Sequence, residues 1–307
     1  MSDYNTELYK EQYLLKKICF FSDKSISLLI NSSTLIAITG FSLPFFSFLL
    51  YDINVDFRLL LASFFVTFAV YSLNKLTDTE EDKINLQNRA EFTIKNRYYI
   101  ILSVIISSFA AVYLASSYTI FAILIIFFPF CIGFIYSIKV ANFRLKDIIF
   151  MKSLSVALAW AVIGAFIPMV VDSRGIKMIS FVFVFFFIKL FINTVIFDVR
   201  DINGDSLNGV RTIPVFLGRK KTRILLLIMN SILIFWLIFS YFQGFFHRYF
   251  IVLIFATVYG YWYILYFCRE TINIRMSRDL LVDGEFIGIA ILASLYSYNS
   301  IFLLNLP

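Results

Sequence analysis

Along most of the chain, apolar residues run in unbroken stretches of about 20, separated by short polar clusters, with none of the period-two alternation of a half-buried strand. A helix of that length crosses a hydrocarbon core of ~30 Å and bonds all of its own backbone polar groups, as lipid requires. Nine such stretches stand at about residues 26–50, 57–75, 98–116, 118–137, 148–171, 177–197, 223–243, 249–268 and 284–304. The pattern predicts an all-α polytopic membrane protein, nine transmembrane helices in one bundle forming a single domain over residues 25–307. Residues 1–24 differ. There Leu8, Leu15 and Ile18 interleave with Lys10, Lys16 and Lys17, without the short apolar core and cleavage pattern of a signal peptide, which predicts a cytoplasmic amphipathic segment lying in the interface.

Composition agrees: 60% of the 307 residues are hydrophobic and 15% charged, with 38 Phe and 18 Tyr, whereas a soluble chain keeps about a quarter of its residues charged. Cys19, Cys131 and Cys268 have no CxxC spacing and read as small packing residues, and the single histidine, His247, excludes a His-based metal centre or triad. Any metal must therefore be held by carboxylates. The net charge of +7 lies in short loops instead of a basic stripe, which points to membrane topology and not to nucleic acid. With a cytoplasmic N-terminus, the inside segments carry 20 Lys and Arg, and the outside ones only Arg58, Arg174, Lys177 and Arg248. The C-terminus is then outside. Lys189 falls inside the sixth stretch, where a charge either has a function or pairs within the bundle.

Two helix ends on the cytoplasmic side carry the chemistry. After the second stretch, Asn74, Asp78 and Asp82 are spaced i, i+4, i+8; after the sixth, Asp198, Asp201 and Asp205 are spaced i, i+3, i+7. Each set shares one face of a helix. Asp78, Asp82 and Asn85 recur as Asp201, Asp205 and Asn208 at an offset of 123 residues, and each copy is followed by an arginine, Arg89 or Arg211, an echo spanning residues 74–89 and 198–218. Two related halves meeting at a shared site is a recurrent membrane arrangement. Oxygen donors without histidine or thiolate suit Mg²⁺, which takes one or two carboxylates, waters and substrate phosphate oxygens. The implied substrate is a diphosphate, with Lys139, Lys146, Arg89 and Arg211 as balancing bases and an apolar tail among the Phe-rich helices: an isoprenyl diphosphate. No G-x-x-x-x-G-K-[ST] loop supports a nucleotide. Glu80, Glu81, Glu270 and Asp279 read as solvated, and Arg219, Lys220, Lys221 and Arg223 as a lipid-facing topology anchor.

NxxxDxxxD at Asn74, Asp78 and Asp82, together with DxxDxxGDxxxGVRTIPVxLG from Asp198 to Gly218, resembles the UbiA superfamily of intramembrane prenyltransferases over about residues 25–300. The resemblance implies a nine-helix bundle and two Mg²⁺ ions held by Asn74, Asp78, Asp82, Asp198, Asp201 and Asp205 against a prenyl diphosphate. It also places Tyr136 beside the reacting allyl carbon and Lys139 on the diphosphate. Lys75 departs from the family, many of whose quinone-pathway members carry Asp after the first-motif Asn, and Arg89-Ala90-Glu91-Phe92 replaces RPxPSG. The expected chemistry is metal-assisted ionisation with capture of the allylic cation, which Tyr136 or Phe197 can stabilise, by a lipophilic acceptor. That acceptor is an aromatic quinone-type precursor first and a glycerol-phosphate lipid second. Asp78 and Asp198 are candidates for proton removal as well as metal ligands. A membrane terpene cyclase and a non-enzymatic carrier are the alternatives, and an AT-rich residue usage (Ile, Phe, Lys, Asn) suggests a prokaryotic membrane.

Overall fold

Long apolar stretches free of charge leave the backbone no alternative to helix in lipid. The computed structural model describes residues 25–137, 148–172, 174–269 and 278–304, and every regular element among them is helical. In chain order these are α1 (Ser25–Asn31), α2 (Thr34–Leu50), α3 (Phe57–Thr77), α4 (Thr79–Asn85), α5 (Gln87–Lys95), α6 (Arg97–Ser116) and α7 (Ile120–Ser137). They are followed by α8 (Met151–Phe166), α9 (Ile176–Leu207), α10 (Ile213–Phe242), α11 (Phe250–Phe267) and α12 (Glu285–Leu304), the last preceded by a π turn at Asp279–Asp283. The N-terminal segment before Ser25 lies outside the described residues.

Among the described residues, seven helical segments are long and apolar enough to cross a bilayer, and α1 with α2, bent by 71°, have that length and apolarity only as a pair. The apolar part of α7, Ile120–Gly133, is shorter. These elements fall on the nine apolar stretches, so the chain is a polytopic membrane protein, with seven of the stretches meeting the length for a span unaided. Along the sequence each long helix packs on the next, α3 on α6 across the short α4–α5 pair, and α12 closes the ring against α2. Its interior is filled by Phe46 from α2, Phe185 and Phe186 from α9 and Phe286 from α12, with ring centroids 5.7–6.4 Å apart.

Three local devices shape the end where the acidic motifs lie. The first motif does not sit on one uninterrupted helix: α3 stops and α4 starts at Asp78 (φ −100°, ψ 16°), where Thr77 and Thr79 hydroxyls bond carbonyls of Asn74, Lys75 and Leu76. The backbone bonds from Asp78 to Asn74 and from Asp82 to Asp78 persist, so the i, i+4, i+8 face survives the break. The second motif rides on α9, which continues to Leu207 instead of ending near 197. At 32 residues it is about 48 Å long, more than a bilayer core is thick. Then α10 begins at Ile213, ten residues ahead of the apolar stretch, and kinks at Gly218, whose φ of 75° favours glycine.

At the opposite end Arg174 donates to the Asp52 carbonyl and Lys177 to Gln243. His247 is exposed there and meets the Tyr241 backbone and ring. Cys268 is buried as expected, but Cys131 is exposed on α7 and is not a core residue. Cys19 lies outside the described residues.

Candidate active site

A cavity of about 290 Å³ opens at the end where α3 and α9 finish and α4, α5 and α8 begin. Both acidic motifs line it: Asn74, Asp78 and Asp82 from one side, Asp198, Asp201 and Asp205 from the other. What permits the approach is Gly204. A Cβ there would stand 2.0 Å from Asn85 Oδ1, so α9 meets α4 closely only because position 204 has no side chain.

Among the described residues, seven carboxylates line the cavity (Asp78, Asp82, Asp198, Asp201, Asp205, Asp279, Asp283) against four cations, Lys75, Arg89, Lys152 and Arg200. Arg89 grips Asp82 through both oxygens, with Nε 2.7 Å from Oδ2. Burial is the largest influence on Asp82 and raises its pKa; Arg89 opposes that, and the charges of Asp78 and Asp201 add to it. Arg200 forks onto Asp201 at 2.7 and 2.9 Å and reaches Asp279 at 2.9 Å, while its guanidinium lies 5.0 Å from the Phe197 ring centroid. Lys152 Nζ bridges Asp198 at 2.9 Å and Asp205 at 3.1 Å, and the Ser153 hydroxyl donates to the second oxygen of Asp198 at 2.7 Å. Lys75 behaves differently. It donates to the Ile30 and Asn31 carbonyls at 3.2 and 2.7 Å, capping the end of α1 at its bend.

Away from the charges the wall turns apolar and aromatic. Tyr71 and Trp160 stack 5.5 Å apart at 18°, with Val70, Val156, Ala159 and Ile132 beside them. One end of the cavity is thus built for an anion held through cations and the other for hydrocarbon.

Of the residues singled out in the sequence, Asn74, Asp78, Asp82, Arg89, Phe197, Asp198, Asp201 and Asp205 share this cavity. Arg211 does not: it is exposed and absent from the lining, and the equivalent of the Asp82–Arg89 pair is made at Asp205 by Lys152. Asp279, expected in solvent, lines the cavity and pairs with Arg200. Glu80 is solvent-facing as expected. Lys139 and Lys146 lie outside the described residues, and Tyr136, on α7, lies where side chains are outside the described set. Lys152, Arg200, Asp283 and the Tyr71–Trp160 pair went unrecognised in the sequence. The DxxxD spacing of Asp279 and Asp283, which repeats that of Asp78 and Asp82, was an available signal.

No group of three His, Cys, Asp or Glu side chains among the described residues converges tightly enough to enclose a metal by itself. The donor set still fits Mg²⁺, which rarely has an all-protein cage and completes its shell with water and substrate phosphate. Among the described residues it is also a set of hard oxygens with no competing histidine or thiolate.

Fold and site together define a polytopic, all-helical membrane enzyme with an acidic, half-apolar cavity at one end of its bundle. The sequence profile of the UbiA prenyltransferase family matches residues 33–274, and the chain belongs to that family. It is similar in fold to a UbiA homolog from Archaeoglobus fulgidus bound to GPP and Mg²⁺ (TM-score 0.65, 17% identity, covering 89% of this chain and 98% of that one). A UbiA homolog from Aeropyrum pernix K1 in its apo state matches with TM-score 0.60 and 15% identity over 82% of this chain and 98% of the other. Digeranylgeranylglyceryl phosphate synthase matches with TM-score 0.57 and 16% identity over 89% and 97%. No curated protein sequence matches the chain.

Proposed function

We propose that the protein ionises an isoprenyl diphosphate in this cavity, with Mg²⁺, and transfers the prenyl group to a lipophilic acceptor. The observation that carries the reading is the cluster of seven carboxylates, among the described residues, directly beside an apolar aromatic wall. A diphosphate alone would be repelled by such a lining; a diphosphate brought with divalent cations would neutralise it. The A. fulgidus homolog with GPP and Mg²⁺ supports the same pairing of ligands here.

In this reading Asn74, Asp78 and Asp82 with Asp198, Asp201 and Asp205 hold two Mg²⁺ ions, which when bound supply positive charge to the departing diphosphate. Arg89 and Arg200 keep Asp82 and Asp201 aimed into the cavity through bidentate contacts. The Tyr71–Trp160 stack presents aromatic surface to the allylic carbon and keeps water from it. Tyr136 at the end of α7 and Lys139 join the site, as the family resemblance implies, with Lys146 as a further base for the diphosphate, and Asp78 or Asp198 assists proton removal. Arg211 is left outside this arrangement.

The acceptor is taken to be an aromatic quinone-type precursor, with a glycerol-phosphate lipid second on the likeness to digeranylgeranylglyceryl phosphate synthase. The cavity end of the bundle is assigned to the cytoplasm, with the N-terminus inside and the C-terminus outside, on the distribution of Lys and Arg, and the cell to a prokaryote on its AT-rich residue usage. The test is pyrophosphate release by purified protein in lipid, given Mg²⁺ and geranylgeranyl diphosphate, with and without a membrane lipid extract. Extract-dependent release, abolished by EDTA and lost in Asp78→Ala and Asp201→Ala, is the expected result. Release independent of extract, with a cyclised product, would assign the protein as a terpene cyclase instead. Equal release by the variants would overturn the metal site.

A further inference from the structure

The four cations of the cavity are held in three different ways. Arg89 and Arg200 are planar forks fixed on Asp82 and Asp201, and Lys75 is tied to neutral backbone carbonyls. Among the described residues Lys152 alone spans two carboxylates of the same motif: Asp198 and Asp205, two helical turns apart on α9. Those carboxylates are 2% and 5% exposed, and both oxygens of Asp198 are engaged, one by Lys152 and one by Ser153. A divalent ion that draws on this motif needs the oxygens and the electrostatic position that the ammonium holds. Arginine forks resist displacement, whereas a lysine ammonium is a point charge on a four-carbon stem that re-aims by rotamer change. Lys152 sits at the second position of α8, is 19% exposed and lines the cavity, so a swing off Asp198 and Asp205 carries its charge into the space for the diphosphate.

Resting on the metal-diphosphate reading above, we propose that Lys152 is an exchangeable counter-ion. In the metal-free protein it holds Asp198 and Asp205; when the metal takes those carboxylates, it moves its positive charge onto the diphosphate oxygens. No bond is made or broken by Lys152 itself, and no proton changes hands. The consequence is a pair of effects with opposite sign. Removing the charge deletes a competitor of the metal and a partner of the diphosphate, so metal binding tightens while substrate binding weakens.

The experiment measures Mn²⁺ binding to the substrate-free protein in lipid by electron paramagnetic resonance, alongside KM and kcat for geranylgeranyl diphosphate. The proteins compared are wild type, Lys152→Met, Lys152→Gln, Lys177→Met as a remote charge deletion, and Asp201→Asn. Lys152→Met should bind Mn²⁺ about tenfold more tightly and raise KM about tenfold, for loss of one charge at contact distance. Lys177→Met should change neither. Lys152→Gln carries the same expectation if the Met variant does not fold. Unchanged or weaker Mn²⁺ binding in the Lys152 variants would overturn the proposal and make Lys152 a fixed strut. That failure is distinguishable from failure of the underlying reading, which would show as undiminished Mn²⁺ binding in Asp201→Asn.

Discussion

Mid-bundle, Lys189 and Glu285 form an ion pair at 2.5 Å with both side chains fully buried, which answers the question the sequence raised about the charge in the sixth stretch: it pairs. The surroundings are built for it. Lys189 donates to the Ala256 carbonyl at 2.9 Å and lies 5.1 Å from the Tyr263 ring centroid. Gly260 lets α11 come close, since a Cβ there would stand 3.0 Å from Lys189 Nζ and 2.4 Å from Asn230 Oδ1. Neither residue lines the cavity, so their contribution is to stability and to the placement of α12 beside α9 and α11. Replacing Lys189 by Met leaves the Glu285 carboxylate buried without its cation. Breaking a buried pair in this way costs about 3–5 kcal/mol, whereas replacing both partners by apolar residues of similar volume is near neutral or stabilising.

Lys189→Met and Glu285→Met should therefore each destabilise by about 3–5 kcal/mol, with the double variant within about 1 kcal/mol of wild type, a coupling of several kcal/mol. Unfolding by SDS titration in mixed micelles, followed by circular dichroism, reads these differences directly. Pyrophosphate release by the double variant should match wild type, because the cavity is untouched. If the single variants cost under about 1 kcal/mol, or if the double variant costs the sum of the two, the pair is not an electrostatic unit and the reasoning fails.

Other expectations follow from the cavity. Gly204→Ala pushes a methyl group against Asn85 and separates the motifs, so pyrophosphate release should fall about 10- to 100-fold, and Asn85→Ala in the same chain should recover most of it. Recovery failing in the double variant would place the effect elsewhere. Arg200→Lys preserves charge but not the fork that grips Asp201 while reaching Asp279; activity should drop at least about tenfold, and a value within twofold of wild type would show that the fork is dispensable. Lys75→Met releases the Ile30 and Asn31 carbonyls, so amide hydrogen exchange should accelerate in residues 25–31 while α10 and α11 stay unchanged; uniform acceleration would mean global loosening instead.

Much of this was legible because lipid narrows the alternatives. Apolar stretches must be helices, so the elements emerge from hydropathy alone. Asp82 and Arg89 pair within one segment, and the spacing that put Asn74, Asp78 and Asp82 on one face holds through the break at Asp78 because the backbone bonds continue. What could not be read was pairing across the ring. The sequence puts Arg211 with Arg89 as a base for the diphosphate, yet Arg211 is exposed outside the cavity lining and α8 delivers Lys152 to Asp205. Asp279 looked like a solvated loop residue because nothing local shows that the π turn folds over Arg200. Motif residues announce themselves by spacing; their counter-ions are chosen by tertiary packing.

The depth of the polar cavity also separates the enzymatic reading from a transport one. A carrier needs polar groups from one face of the bundle to the other. Here the carboxylates of α9 end with Asp198, and Thr194 and Asn193 are the next polar residues of that helix on the cavity wall. Phe185 and Phe186 lie about 18–20 Å beyond Asp198 along α9 at 1.5 Å per residue. They interlock with Phe46 and Phe286, all at most 1% exposed, and Tyr51 closes onto the Ala165 carbonyl beyond. The charged pair at Lys189 does not bridge the gap, since it is neutral as a unit and sealed from the cavity lining. An acidic chamber with an aromatic floor suits a charged group among its carboxylates and cations and a hydrocarbon against its apolar walls. Among the described residues it gives no polar route across the bilayer, which is what an ionisation site protected from water requires.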